Sequence, residues 1–519
     1  MNAQTGTQAA YKRKTSIQLA SGKQKSNLKL AVQTSSITPL VDGPEIFAEI
    51  GNSIINAKDY IYISGWMIHL NLKINGKSLK SLLLKKSSQN VKIKILWADL
   101  DPNAGQFNEE EAKKKYAQSI ESIQANRLLK EDKSKNIEVI VTEMSDLSFD
   151  GRILQEIATT YMNRKVLIGS HHQKFVVVDG TTAIVGGIDL TVHSAKASKW
   201  HDVSVRIFGK GVRGIENNFV TRWNKEKLGK YSEVTLNPKS KDSPRCKTIL
   251  TLPSWYWSNT EILNQYIELI NSAKSSIYIE NQYIREPGIS KVLLDAVLRG
   301  INLTIIIPTL PEEIVNDGKK PQLHNKLSVY IQYRMLKTLT TQRIETLTEP
   351  YKKYSKFQDK QNNRLKIFSP SKKNKPYIHA KIMVVDEEYT IIGSANLNGK
   401  SLVGSSDSEL GVFISSKDFA RNLKEKLSEK SKTWRLIAHN LEQSEKISRF
   451  SHSDYSMVNK LINNKYNGVS NADWTDPEYW ANQAKKGVAD VFDGEIMSAK
   501  NPDELRDAFA DHRTLLNYL

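Results

Sequence analysis

Two stretches of this chain are copies of one another, and that duplication limits what it can fold into more than any other feature. Residues 172–190, HQKFVVVDGTTAIVGGIDL, lie without a gap on residues 379–397, HAKIMVVDEEYTIIGSANL. In that register His172, Lys174, Asp179, Gly186 and Leu190 meet His379, Lys381, Asp386, Gly393 and Leu397. The correspondence runs on to Asp202 over Glu409 and to Val205-Arg206-Ile207 over Val412-Phe413-Ile414. A fixed internal repeat means that one supersecondary unit is used twice.

Earlier segments repeat as well. Tyr60 to Ser64 (YIYIS) matches Ser276 to Glu280 (SIYIE), and each follows apolar residues at helical spacing. Those are Ile46, Phe47, Ile50, Ile54 and Ile55 in the first copy, and Ile262, Leu263, Tyr266, Ile267, Leu269 and Ile270 in the second. Val91 to Trp97 and Ile301 to Ile307 then read as strands. Each half alternates helix and strand before a pair of strands carrying the histidine, which predicts an α/β sandwich per half. The expected fold is therefore two duplicated α/β sandwich halves with one active site at their pseudo-twofold interface. Four segments are expected: a basic, disordered arm over 1–38, a first half over 39–235, a second over 236–438, and a helical acidic extension over 439–519. A polar stretch from Lys225 to Arg245 links the halves.

Parity along the strands sorts the polar residues. His172 and Lys174 are two apart and share a face, whereas Asp179 follows His172 at an odd spacing and points elsewhere. The same holds for His379, Lys381 and Asp386. Histidine and lysine are thus expected at a substrate, with Asp179 and Asp386 organising the structure behind it. The chemistry suits a phosphodiester. One imidazole can attack phosphorus while a second protonates the leaving alcohol and then activates water. Lysines on that face can neutralise the non-bridging oxygens. Each imidazole needs a carboxylate to fix its tautomer, and Asp202 and Glu409 stand at matching positions for this. No metal and no other cofactor is called for, and lysine beside histidine disfavours a cation.

A duplicated H-x-K-x-x-x-x-D resembles the signature of the phospholipase D superfamily. The likeness extends over about residues 40 to 435, through Gly186-Gly187-Ile188-Asp189-Leu190, Trp200-His201-Asp202, Asn218 to Asn224, Ile277 to Tyr283, Gly393-Ser394-Ala395-Asn396 and Asp407-Ser408-Glu409. These motifs are most similar to the eukaryotic-like branch. The resemblance implies that His172 is the nucleophile and His379 the general acid, then base. It implies that Lys174, Lys381 and Asn396 hold the phosphate, with Asp189 also at the substrate, and that Asp202 and Glu409 orient the histidines. Gly186, Gly187, Gly393 and Ser394 belong to the structural motif, and Glu280, Asn281 and Gln282 neighbour the site. Lys400 and Ser406 depart from that branch, where arginines are usual.

The activity implied is hydrolysis of a glycerophospholipid to phosphatidate and a free headgroup alcohol, with transphosphatidylation as its natural accompaniment. The alternatives are a cardiolipin synthase-type phosphatidyltransferase and a nuclease of the same superfamily. The net charge of +19 favours an anionic surface, and a phospholipid membrane bearing an anionic or zwitterionic substrate is the expected partner rather than nucleic acid. No signal peptide and no spanning run of apolar residues is evident. This suggests a cytoplasmic protein, or one exported by a specialised secretion system as a bacterial effector acting at membranes, with any immunity or secretion partner not identified by the sequence. Trp66, Trp97, Trp200 and Trp223 read as core, Trp255 and Trp257 as candidates for a bilayer interface, and His171 and His201 as incidental. Tyr351 to Lys375, with nine basic residues and one acid, is expected to rim the site.

Overall fold

The computed structural model describes residues 36–98, 120–142, 169–191, 200–227, 229–253, 259–310, 323–341, 364–371, 376–403, 407–456 and 499–511. Two sheets carry the architecture. The first contains β1 (Ser36–Val41), β2 (Tyr60–Gly65), β3 (Lys92–Ala98), β4 (Ile137–Thr142), β5 (Phe175–Val178), β6 (Thr182–Gly186) and β7 (Val203–Phe208), in the order β1-β7-β6-β5-β2-β3-β4. The second contains β8 (Cys246–Leu252), β9 (Asn259–Thr260), β10 (Ser276–Asn281), β11 (Asn302–Ile306), β12 (Leu365–Pro370), β13 (Lys381–Val385), β14 (Tyr389–Gly393), β15 (Glu409–Ser415) and β16 (Leu436–Ala438). Its order is β9-β8-β15-β14-β13-β10-β11-β12-β16. Without the edge strands β9 and β16, the two orders are the same. So is the mixed pattern of pairing, with β2-β3-β4 and β10-β11-β12 parallel and the rest antiparallel.

Helices follow the predicted faces, except that Ile55, counted with the first of them, is exposed. In α1 (Asp42–Asn56) the residues Ile46, Phe47, Ile50 and Ile54 are buried, and with α2 (Leu79–Ser88) and α3 (Ile120–Glu131) they close the outer face of the first sheet. In the second half α5 (Glu261–Ser272), α6 (Pro287–Leu298) and α7 (Leu323–Thr341) do the same. The inner faces share one core. Val177, Ala183, Val185 and Val205 of the first sheet pack in one cluster with Ile382, Val384, Ile392, Leu410 and Val412 of the second. Phe219 and Trp223 of α4 (Arg213–Glu226) and Phe419 and Leu423 of α8 (Lys417–Trp434) complete it. Strands buried on both faces explain the nearly all-apolar runs FVVV and KIMVV.

Asp179 and Asp386 sit in the turns after β5 and β13 with φ of 51° and 53°, a left-handed conformation that Asp tolerates better than most residues. The Asp179 carboxylate accepts from the backbone N–H groups of Lys58, Asp59 and Tyr60 at 2.8–2.9 Å. Asp386 accepts from those of Lys274, Ser275 and Ser276 at 2.8–3.0 Å. Each turn thereby pins the start of the neighbouring central strand, and with it the register that presents the histidine.

Two segment boundaries differ from expectation. Ser36 to Thr38, assigned by the sequence to a disordered arm, pair with Arg206 to Phe208 as part of β1. α4 runs to Glu226, so the polar link between halves begins after it. Residues 1–35 lie outside the described residues, as do Trp255, Trp257 and most of the basic stretch from Tyr351 to Lys375. The extension contributes α9 (Leu441–Ile447) and α10 (Pro502–Asp511). Their acids grip α7, where Tyr333 donates to Glu445 at 2.8 Å and Arg334 meets Asp511 at 2.7 Å.

Candidate active site

The approach to each histidine is built by a short parallel contact between halves. Tyr377-Ile378 pairs with Trp200-His201, and the His379 amide donates to the His201 carbonyl at 2.8 Å. On the other side His171 bridges Ser408, and the His172 amide donates to the Ser408 carbonyl at 3.0 Å. The residue that ends each of these segments therefore faces the opposite half. His172 Nδ1 is 2.8 Å from Glu409 Oε1, and His379 Nδ1 is 2.6 Å from Asp202 Oδ2. The carboxylates are exchanged between the copies.

Both dyads are buried, with Asp202 and Glu409 fully enclosed and the histidines 8% and 4% exposed. Burial and then Lys174 hold the His172 imidazole well below the usual histidine range, and burial and then Lys381 do so for His379. Burial also raises both Asp202 and Glu409 to about 7. Each dyad thus titrates as a unit, with an uncharged imidazole near neutrality. A carboxylate on Nδ1 fixes the tautomer in which Nε2 has a free lone pair, the form needed to attack phosphorus.

The lysines are placed differently. Lys174 Nζ donates to the His172 carbonyl at 2.8 Å, lies 3.8 Å from Asp189 Oδ2, and stands 5.5 Å over the Trp66 ring. Lys381 donates to the His379 carbonyl and, at 3.2 Å, to Gln282 Oε1. Burial lowers Lys381 to about 8 against the pull of Asp202. Asn396 is buried, and its Oδ1 has no hydrogen-bond partner among the described residues. Its amide can meet a substrate through Nδ2, donating to a phosphate oxygen, or through Oδ1, accepting from a hydroxyl.

Gly186, Gly187, Gly393 and Ser394 close the site from below. A Cβ on Gly393 would lie 2.6 Å from the Gly411 Cα, and one on Gly186 2.6 Å from the Val203 carbonyl, so strands approach too closely for a side chain. A Cβ on Gly187 would meet Asp202 Oδ1 at 2.7 Å and Lys381 Cδ at 2.8 Å. Its counterpart Ser394 instead has room and donates to Glu409 Oε2.

Two residues read as incidental are structural members of the centre. His201 is fully buried, with Nδ1 2.6 Å from Asp42 Oδ1 and Nε2 2.7 Å from Glu280 Oε2. Burial opposes its charge, yet Glu280 and Asp42 overcome that and raise it to about 10. His171 joins Ser64 Oγ at 2.8 Å to Ser408 Oγ at 3.2 Å, and Arg222 donates to the same Ser408 hydroxyl at 2.7 Å. Periodicity gave no signal for either, because their partners lie in other strands. Trp97 and Trp223 are core, but Trp66 and Trp200 are half-buried against the imidazoles, 5.4 Å from His172 and 4.4 Å from His379 between ring centroids. His172, Asp407 and Glu409 converge within 4.8 Å and could hold a cation. Lys400, 3.5 Å from Asp407, and Lys174 occupy the electrostatic role that such an ion would take.

Residues 266–431 match the family described as cardiolipin synthase, PLD-like domain. Over those residues the chain carries a phospholipase D-like domain. A cardiolipin synthase of Listeria monocytogenes is 22% identical over 76% of this chain and 69% of its own. Cardiolipin synthase 2 of Staphylococcus epidermidis is 24% identical over 77% and 69%. Phospholipase D1 of Saccharomyces cerevisiae is 22% identical over 75% of this chain but 27% of its own. Among solved structures, phosphatidylserine synthase of Haemophilus influenzae shares the fold, with a TM-score of 0.55, 15% identity, and coverage of 83% of this chain and 93% of that one. No helix among the described residues is long and apolar enough to cross a membrane.

Proposed function

We propose that this protein is a phosphatidyltransferase that moves a phosphatidyl group from one phospholipid to the hydroxyl of another, the cardiolipin synthase-type reaction. The observation that carries the reading is the pair of buried histidine–carboxylate dyads, each holding Nδ1 and leaving Nε2 to the substrate, as a bare lone pair on His172 and protonated on His379 at the first step, flanked by Lys174 and Lys381. His172 Nε2 attacks phosphorus, and the bond to the leaving alcohol breaks as His379 gives that oxygen a proton. The phosphohistidine is then attacked by an acceptor hydroxyl whose proton passes to His379, and His172 leaves. Lys174, Lys381 and Asn396 hold the non-bridging oxygens through both steps. With phosphatidylglycerol as donor and acceptor, the products are cardiolipin and glycerol.

The cardiolipin synthases among the relatives support a lipid acceptor over water. Hydrolysis to phosphatidate is the second reading, supported by the yeast phospholipase D1 relative and by the flanking motifs, and it differs only in the acceptor. Mixed vesicles of phosphatidylglycerol and phosphatidylcholine, with wild type, His172→Ala and His379→Ala, separate the readings. Cardiolipin formed by wild type and lost in both variants is the expected result. Phosphatidate as the sole product would transfer the assignment to hydrolysis, and cleavage of DNA with no lipid product to a nuclease.

A further inference from the structure

Next to the reacting centre lies a buried cation with no counter-ion among the described residues. Arg285 is 4% exposed, yet its Nε and Nη2 are buried without a hydrogen-bond acceptor among those residues. No carboxylate among the described residues forms an ion pair with it. The adjacent Glu286 is committed elsewhere, capping α6 through the Ile289 amide. A buried guanidinium charge without an anionic partner is strongly unfavourable. An anion from outside the chain would relieve that cost.

The backbone places Arg285 on the side of the site. Ile284 bridges Leu397 in parallel, and the Arg285 amide donates to the Leu397 carbonyl at 2.7 Å. Ile284 and Leu397 are both fully buried in the core of the second half. Side chains alternate along extended backbone, so Tyr283, Arg285 and Asn396 share the opposite face. On that face the Arg285 guanidinium stacks 3.9 Å from the Tyr283 ring centroid. The Tyr283 hydroxyl accepts from Gln282 Nε2 at 3.1 Å, and Gln282 Oε1 accepts from Lys381 at 3.2 Å. One continuous path runs from the phosphate-side lysine to the unpaired guanidinium. In the first half the equivalent position is His69, whose amide donates to the Leu190 carbonyl at 2.8 Å. The guanidinium fork is thus found on one side only.

We propose that Arg285 binds a second oxyanion of the substrate pair, the phosphate of the acceptor, distinct from the phosphate that reacts. This rests on the transfer reading above. A guanidinium presents paired donors that match phosphate oxygens, so the acceptor class selected is an alcohol carrying its own phosphate.

Acceptor competition tests this. Wild type, Arg285→Gln and Arg285→Lys are given vesicles of phosphatidylcholine donor with glycerol, sn-glycerol 3-phosphate or phosphatidylglycerol as acceptor. The readout is the ratio of transfer to each phosphate-bearing acceptor over transfer to glycerol, taken on the same protein sample, so partial misfolding cancels. Wild type is expected to favour phosphate-bearing acceptors, Arg285→Gln to lose about tenfold to a hundredfold of that ratio, and Arg285→Lys to recover part of it. Preference for both acceptors means that a free phosphate monoester suffices, and preference for phosphatidylglycerol alone means that the lipid phosphodiester is recognised. A ratio unchanged in Arg285→Gln, with transfer to glycerol present, overturns the role of Arg285 and leaves the transfer reading standing. Wild type that transfers to no alcohol at all overturns both.

Discussion

His172 and Glu409 are 237 residues apart in the chain and 2.8 Å apart in the structure, while the carboxylate thirty residues after His172 serves His379 instead. Each imidazole is oriented by the other copy. Removing a carboxylate should therefore impair the step performed by the histidine of the opposite half. With a p-nitrophenyl phosphodiester, whose leaving group needs no proton, Glu409→Gln should lose the burst of nitrophenolate along with His172→Ala. Asp202→Asn should keep a burst but turn over about 10²–10⁴-fold more slowly. Rapid-mixing absorbance measurements check this, and a lost burst in Asp202→Asn with a retained burst in Glu409→Gln would reverse the assignment of nucleophile and acid.

Gly187 lies against both Asp202 and Lys381, so a methyl there moves two site residues at once. Gly187→Ala should lower kcat by about 10²-fold, the scale of a displacement near 1 Å. Gly187→Ser should not rescue it, although serine is native at the equivalent position 394. Thermal melting distinguishes this from unfolding, since overpacking at one position costs only about 1–3 kcal/mol.

His201 is clamped between Asp42 of the first half and Glu280 of the second, under the Trp434 ring, with Lys430 3.1 Å from Asp42. Its protonation is tied to folding because its ordinary value of 6.5 is raised to about 10. The stabilisation is complete below 6.5 and is lost as pH rises toward 10. The Tm of wild type should fall across that window, whereas His201→Gln should begin about 3–5 kcal/mol less stable and show a flatter dependence. Parallel slopes for the two proteins would show that His201 is not the titrating group.

The Asp386 carboxylate collects three backbone donors, and those bonds outweigh burial to hold it below the ordinary carboxylate range. Its contribution is present above about pH 4 and lost on acidification. Asp386→Ala should cost about 1–3 kcal/mol in urea unfolding, and Asp386→Asn less, because one acceptor oxygen and tolerance of the left-handed turn remain. Equal losses in the two variants would point to charge rather than to hydrogen bonding.

Much of this was written in the repeat. The ungapped match of residues 172–190 on 379–397 carried the strand pair that bears the histidine in each half, because a run of apolar residues buried on both faces is visible in the order of residues alone. The histidine–lysine pairs and the carboxylates thirty residues on were visible for the same reason. The exchange of carboxylates was not, since it depends on which segments lie side by side across the interface, and sequence distance has no bearing on that. His201 and Arg285 were hidden for a related reason. Each is a single residue whose meaning comes from what faces it, and neither recurs in the other copy, where Ser408 and His69 stand instead.

The equivalent positions that differ have a consequence for how a substrate must lie. Trp66 answers Gln282, Asp189 answers Asn396, Gly187 answers Ser394 and His69 answers Arg285. Two separate identical chains would repeat every such choice on both flanks and would meet a phosphodiester the same way in either direction. Fusing the copies into one polypeptide removes that constraint. The centre acquires a polarity, with Trp66 and Asp189 on one flank set against Gln282, Asn396 and Arg285 on the other, so the two ends of a bound diester are no longer interchangeable.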